Sequence, residues 1–316
     1  MIWPARAGFA QLALACSLAA GCASQPSVTA VRDDDAGLLR FAIGDSEAFV
    51  YQYGDEWAIP HIWPLRSPSG RSLLVQQTEP FPHHRSLWIV DRVRLAGGVD
   101  TDFYHEWKNL RDPERPELGH HSFIRHTGIS DVRSGDGSAG ATAELSWIVQ
   151  GEPVLDQSMH FELEDLGAGE YTLDLSWELR ASYGEVEFLS DWVHYAWPYL
   201  RMDPAFSGES GGTLSDDQGR EGQESTNGKY ARWVDYSNDV DGIAEGLAVL
   251  ARDDGRPRKW LTREYGTFGP RRPDELSGTR FKLQRGDVLH GQVTVLVHRG
   301  DVQGGRVAER FASTPR

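Results

Sequence analysis

Cysteine is almost absent from this 316-residue chain: there are two, Cys16 and Cys22, both within the first 22 positions. The rest of the sequence therefore has no thiol for a disulfide framework or a zinc–thiolate site. Positive charge is also short, with 32 Lys and Arg against 47 Asp and Glu and a formal charge of −15. A nucleic-acid binder concentrates cations along one face, and no basic run exists here to do so. Long apolar runs are missing as well. The one stretch that approaches spanning length, Phe9 to Ala20, falls short of the roughly 20 residues that a membrane helix needs. Neither a dinucleotide fingerprint nor a phosphate loop is found; the nearest candidate, Gly222 to Lys229, has Tyr230 where Ser or Thr would hold magnesium. What is present is core material, 39% hydrophobic residues with 11 Trp, 10 Tyr and 12 Phe, enough for a folded globule.

The amino terminus reads as an address. Arg6 supplies a short basic region, an apolar stretch follows, and Ala19-Ala20-Gly21-Cys22 resembles a bacterial lipobox with Ala19 at the position where Leu is usual. The expectation is a lipoprotein signal peptide over residues 1–21, acylation of Cys22, and a flexible tether over residues 22–36; an ordinary secretory signal is the alternative. Ala23 after the cysteine, by the same resemblance, favours an exported outer-membrane lipoprotein facing the periplasm. The membrane would then be touched only through the lipid anchor.

From residue 37 to 316 the pattern predicts a single all-β domain. Tyr171, Leu173, Leu175, Trp177 and Leu179 alternate with Thr172, Asp174, Ser176 and Glu178, the period of a half-buried strand. The same alternation passes through Leu145, Trp147 and Val149, through Met159, Phe161 and Leu163, and through Val293, Val295 and Val297. No amphipathic helix longer than about three turns competes with it. Many short antiparallel strands imply a large β-sandwich of jelly-roll or supersandwich type. Residues 207–229, rich in Gly, Ser, Asp, Glu and Gln, read as a long loop, either disordered or functional.

Histidine is the residue whose placement points to chemistry. Six of the 11, His83, His84, His105, His120, His121 and His126, fall between positions 83 and 126. Imidazole exchanges protons near neutral pH and ligates metals. Pro82-His83-His84-Arg85-Ser86-Leu87-Trp88 is the densest part; if extended, it would point His83 and His84 to opposite faces unless Pro82 bends it. Arg85 offers a planar fork for a carboxylate or a sugar hydroxyl. Two histidines with Asp102 or Glu106 would make a facial triad for iron, but no spacing selects a metal geometry.

A second group lies toward the carboxyl end: Trp233 and Asp235 in Trp-Val-Asp-Tyr, and Trp260, Arg263 and Tyr265 in Trp-Leu-Thr-Arg-Glu-Tyr-Gly. Aromatic faces stack on sugar rings and the charged groups bind hydroxyls; the alternative is core aromatics with satisfied edges. His290 and His298, alternating with the valines of the last strand, read as surface residues.

The order of these segments resembles a family of exported bacterial proteins carried under the label "methane oxygenase PmoA" or as a domain of unknown function. The matching residues are Pro64-Leu65 to Pro68-Ser69-Gly70, Pro82 to Arg85 with Leu87-Trp88, Ile124-Arg125-His126, and Trp147 with Gly151 to Leu155. They continue through Trp233 to Tyr236 and Trp260 to Arg263 with Tyr265-Gly266. The chain departs from that pattern at Pro80 and Phe81, where Asp and His are common, and at Ser86, where Gly is usual. The oxygenase label is not carried over as function, because the methane oxygenase is an integral membrane complex and this sequence has no run of spanning length. The resemblance instead implies a setting among glycan-degrading functions.

Together these readings lead to an expected carbohydrate-active enzyme performing a lyase or hydrolase step on a sugar or glycoside. His84 and His126 would be general acid and base, with His83 and Arg85 beside them, and Trp233, Asp235, Trp260, Arg263 and Tyr265 would bind substrate. The leading reading requires no cofactor. A non-catalytic carbohydrate-binding sandwich and a metal-dependent oxygenase are its rivals.

Overall fold

The computed structural model describes residues 1, 27–105, 122–189, 196–251, 256–272 and 281–313. Residues 1–26 apart from Met1, including Cys22, and the histidines at 120 and 121 lie outside the described residues. The fold is all-β, as alternation predicts.

The chain opens with β1 (Ser27–Asp33), β2 (Leu38–Ile43), β3 (Ser46–Gln52) and β4 (His61–Leu65). Three short strands follow, β5 (Leu87–Trp88), β6 (Arg92–Leu95) and β7 (Asp100–Asp102). A long meander comes next: β8 (Ser122–Asp136), β9 (Ser138–Val149), β10 (Glu152–Gly167) and β11 (Glu170–Arg180). The remainder runs through β12 (Val186–Phe188), β13 (Tyr199–Arg201), β14 (Thr213–Asp216), β15 (Tyr230–Ala231) and β16 (Trp233–Val240). It ends with β17 (Ile243–Ala251), β18 (Arg258–Thr262), β19 (Thr267–Pro270), β20 (Phe281–Leu283) and β21 (Val288–Arg299).

These strands build two large antiparallel sheets. One has the order β1-β2-β3-β4-β5-β13-β19-β18-β15. The other runs β8-β9-β10-β11-β21-β17-β16-β14. A pairing between β1 and β8 joins them at one edge, and a small sheet, β20-β12-β6-β7, sits beside them. Their inner faces meet in one apolar core, with Phe41 of β2 and Tyr51 of β3 against Phe161 of β10. On β11 the odd-numbered residues from Tyr171 to Leu179 are all buried while the even ones are half-buried or exposed. Full burial of each such large apolar side chain is worth about 1.5–3 kcal/mol.

Three expectations change. The tether cannot extend to residue 36, because Val28 and Ala30 are buried and β1 pairs with β2 along its length. Residues 207–229 are folded: a 3-10 turn at Gly208–Ser210, β14, and a short helix α1 (Gly222–Thr226). Leu214 and Asp216 are buried as β14 pairs with β16, so backbone pairing orders a segment whose composition shows little apolar content.

The third concerns the last strand. Both faces of β21 are covered: Val293, Val295 and Val297 by the main core, and Leu296 by a second cluster with Trp233, Ala248, Leu250 and Val307. Val307 belongs to a closing helix, α2 (Val307–Ser313), which folds over the outer face. His298, expected at the surface, is therefore buried. The backbone closes over it at Gly305, where a Cβ would stand 2.3 Å from His298 Nδ1. His290 remains exposed beside Glu178.

Candidate functional site

The segment before β5 is a chain of tight turns, with Phe81 N donating to Thr78 O, His84 N to Phe81 O, and Gln77 N to His84 O. This turn geometry puts His83 and His84 on the same side, their rings 4.7 Å apart, where an extended strand would have separated them. The turn after β7 delivers Tyr104 and His105 to the same place. Asp102 fixes both, accepting from Tyr104 N at 3.1 Å and pairing with His105 Nδ1 at 2.8 Å. Three of the six clustered histidines thus meet, with His83 and His105 rings 4.6 Å apart.

The floor comes from β13 and β19. Leu200 and Arg201 pair with Phe268 and Thr267, and Arg201 N donates to Ser86 O. Gly266 has φ +94 and lies so close to β13 that a Cβ would stand 2.9 Å from Met202 Cβ, so glycine is required there. The preceding turn carries Arg263 and Tyr265, and the 207–229 segment holds it. Gln223 and Glu264 exchange backbone and side-chain hydrogen bonds, Arg263 Nη1 donates to Asn227 Oδ1 at 2.8 Å, and Thr226 meets Thr262.

At the centre, the Tyr104 hydroxyl and His84 Nε2 are 2.6 Å apart, and His84 Nδ1 faces Thr267 Oγ1 at 3.4 Å. Phe81 stacks on His84 and contacts Tyr265, while Trp88, Tyr199 and Tyr104 wall the inner side. Burial, then the positive fields of His83, Arg201 and His105, push His84 down to about 2, so its ring is neutral at physiological pH. Burial raises the Tyr104 hydroxyl well above its ordinary value, and Arg263 and Arg201 only partly offset this. Arg201 is 3% exposed and lies 4.8 Å over the Tyr265 ring. His105, Phe81, Pro82, Arg263 and Tyr265 are half-buried or partly open and form the rim.

The profile of a family described as "Family of unknown function (DUF6807)" matches residues 39–312. The chain belongs to that family. No curated protein matches it. The DUF6807 span contains every residue of the His84 site, and the match carries no methane-oxygenase name.

Within the DUF6807 domain the expected site residues divide. His83, His84, Arg263 and Tyr265 converge. His126 does not join them: it packs on Tyr51 and Tyr53 and lines a separate groove of about 590 Å³ with Trp57, Phe123 and Arg125. Burial there lowers it to about 4, with Arg32 adding to the effect. Arg85 is buried and lies 5.5 Å over the Trp57 ring, between the two places. Trp260 is wholly enclosed, its Nε1 donating to Ala231 O at 2.9 Å, and offers no face to a sugar. Trp233 belongs to the apolar cluster under α2. Asp235 is fully buried and pairs with His298 Nε2 at 2.7 Å. Two residues of the site, Tyr104 and Arg201, are not singled out by the sequence pattern. Tyr104 sits inside the histidine-rich window between Asp102 and His105, and Arg201 is a charge in the otherwise apolar Tyr199-Leu200-Arg201-Met202; those were the available signals. Among the described residues, no group of three or more His, Cys, Asp or Glu side chains is arranged to hold a metal ion, and no helix is long and apolar enough to cross a membrane.

Proposed function

We propose that this protein is a carbohydrate-active enzyme that performs an acid/base step of the lyase or hydrolase type on a sugar or glycoside, with His84 and Tyr104 as the proton-handling pair. The observation that carries the reading is the 2.6 Å contact between the Tyr104 hydroxyl and His84 Nε2 inside an aromatic enclosure next to a buried guanidinium. Both groups are neutral, so the pair starts with the phenol as donor and the imidazole as acceptor. Negative charge developing on a bound substrate beside Arg201 would offset part of the positive field that keeps His84 neutral, and a C–H beside a carbonyl would then give its proton to the Tyr104 oxygen as the phenol proton passes to His84 Nε2. The C–H electron pair forms a C=C bond, and the group on the next carbon departs with its bonding electrons, taking a proton from the relay or water. The guanidinium of Arg201 stabilises the enolate charge that develops meanwhile. His105, paired with Asp102 at 2.8 Å, stands part-exposed at the rim.

The test is turnover of oxidised sugars and their glycosides followed by mass spectrometry. His84→Ala and Tyr104→Phe should each lower kcat by about 10²–10⁴-fold, the usual contribution of a positioned acid or base. His126→Ala should leave kcat within a few-fold of wild type. Retention of full turnover in both His84→Ala and Tyr104→Phe would sink the assignment. A non-catalytic carbohydrate-binding role has one observation in its favour, the open groove lined by Tyr53, Trp57 and Phe123. Binding of oligosaccharides lost in Trp57→Ala, with no product formed, would point to it.

A further inference from the structure

Arg201 is a buried cation with no ion-pairing carboxylate among the described residues. It is 3% exposed, and neither Nε nor Nη1 has a hydrogen-bond partner among the described residues. No described carboxylate forms an ion pair with it; Glu209 acts on it only from a distance and is itself exposed. Another buried guanidinium, Arg272, has Asp91 at 3.3 Å, so the fold supplies a counterion to at least one buried arginine. A buried charge left unpaired is costly, and such groups persist where a ligand completes them.

The surroundings specify the sign and shape of that ligand. Tyr265 covers one face of the guanidinium at 4.8 Å and leaves its N–H groups for an acceptor. Around it stand neutral donors and acceptors: the Tyr104 hydroxyl, the neutral His84 ring and the Thr267 hydroxyl. Arg263 adds a second positive field at Tyr104. The half-buried rings of Phe81 and Tyr265, 4.9 Å apart, give an apolar wall suited to the C–H face of a sugar.

We propose that Arg201 recognises a carboxylate on the ligand, so that the substrates of this site are acidic sugars: uronic or aldonic acids, or glycosides of them. This rests on the sugar reading above. A carboxylate held by Arg201 neutralises one of the charges that disfavour protonation of His84. It also draws charge away from the carbon beside it, the position whose proton the His84–Tyr104 pair would take.

The experiment compares D-glucuronate, D-galacturonate and D-gluconate with D-glucose, D-galactose, acetate and inorganic phosphate. Thermal shift and calorimetry are the readouts, on wild type, Arg201→Met and Arg201→Lys. The acidic sugars should raise the melting temperature of wild type, and the matched neutral sugars should bind at least tenfold more weakly. Arg201→Met should abolish that preference and Arg201→Lys should restore part of it. Because Met removes an unpaired buried charge, that variant is expected to fold; the wild-type comparison and Arg201→Lys decide the matter if it does not. Absence of a carboxylate-dependent shift in wild type, or a shift that survives in Arg201→Met, overturns the proposal. Equal shifts with acetate or phosphate also overturn it, since the site would then hold any small anion. Arg201-dependent uronate binding without turnover would leave this inference standing and remove the acid/base reading; turnover of neutral sugars that needs His84 but not Arg201 would do the reverse.

Discussion

Replacing Asp235 with Asn separates a structural role from a binding role at a residue whose sequence context suggests the latter. Both side chains of the Asp235–His298 pair are fully enclosed, with Nε2 and Oδ2 2.7 Å apart. Asp235 Oδ1 also accepts from Ser237 Oγ, and His298 Nδ1 faces the Arg299 carbonyl at 3.2 Å. With acceptors facing both ring nitrogens, the protonated form of the imidazole is favoured. Burial by itself would lower its pKa, but the Asp235 charge and hydrogen bond, with the Arg299 carbonyl, more than offset this and raise it above the ordinary value of 6.5. Removing one member of a buried pair costs about 3–5 kcal/mol, because the other is left charged without a partner. That is a large share of the roughly 5–15 kcal/mol that a typical domain has in total. A raised folded-state pKa contributes stability that is complete below the unfolded value and fades as pH rises through the folded one. The deficit of Asp235→Asn should therefore be larger at pH 6 than at pH 9. Urea unfolding followed by tryptophan fluorescence at both pH values measures it, provided the slope against denaturant is unchanged. A deficit under about 1 kcal/mol at pH 6, or one that does not narrow, would refute the reasoning.

The neutral histidines predict the opposite slope. Burial is the leading cause that takes His61 to about 4 and His84 to about 2, and His126, less enclosed, follows to about 4. The unfolded chain takes up protons below pH 6.5 while these rings do not. The contribution of these rings to stability should thus be complete above pH 6.5 and fall by on the order of 1 kcal/mol per pH unit for each of His61 and His84 between pH 6 and 4. Denaturant midpoints at pH 7.5, 6 and 5 test this, and a flat profile contradicts it. Gly291 of β21 pairs with Trp177 of β11, and a Cβ there would stand 2.3 Å from Cζ2 of the indole. Gly291→Ala should lower stability by about 1–3 kcal/mol through overpacking, with part recovered in combination with Trp177→Leu; a melting temperature equal to wild type would show that the sheet yields instead.

The strands were legible wherever one face is buried and the other wet. Tyr171 to Leu179 alternates in sequence as it does in space. The reading failed where that condition fails. His298 alternates with valines as a surface residue would, yet α2 and Gly305 cover it, and a cover supplied from elsewhere leaves no trace in local period. The histidine cluster was visible as a density, and His83, His84 and His105 do meet, but density could not tell that His126 enters β8 on the far side of Tyr51. Arg201 reaches the site through two pairings, with β5 and with β19, whose partners lie far away in the chain. Aromatic residues at Trp233 and Trp260 were ambiguous for a plain reason: the same ring serves a core or a sugar, and only burial decides.

The order of strands in the second sheet also governs when this protein can begin to exist as a folded object. Strand β21 is the last in sequence but sits in the middle, between β11 and β17, and makes ladders to both. Without residues 288–299 neither β11 nor β17 has its partner on that side. The keystone is the last piece to be made, so these two ladders are the last that can close.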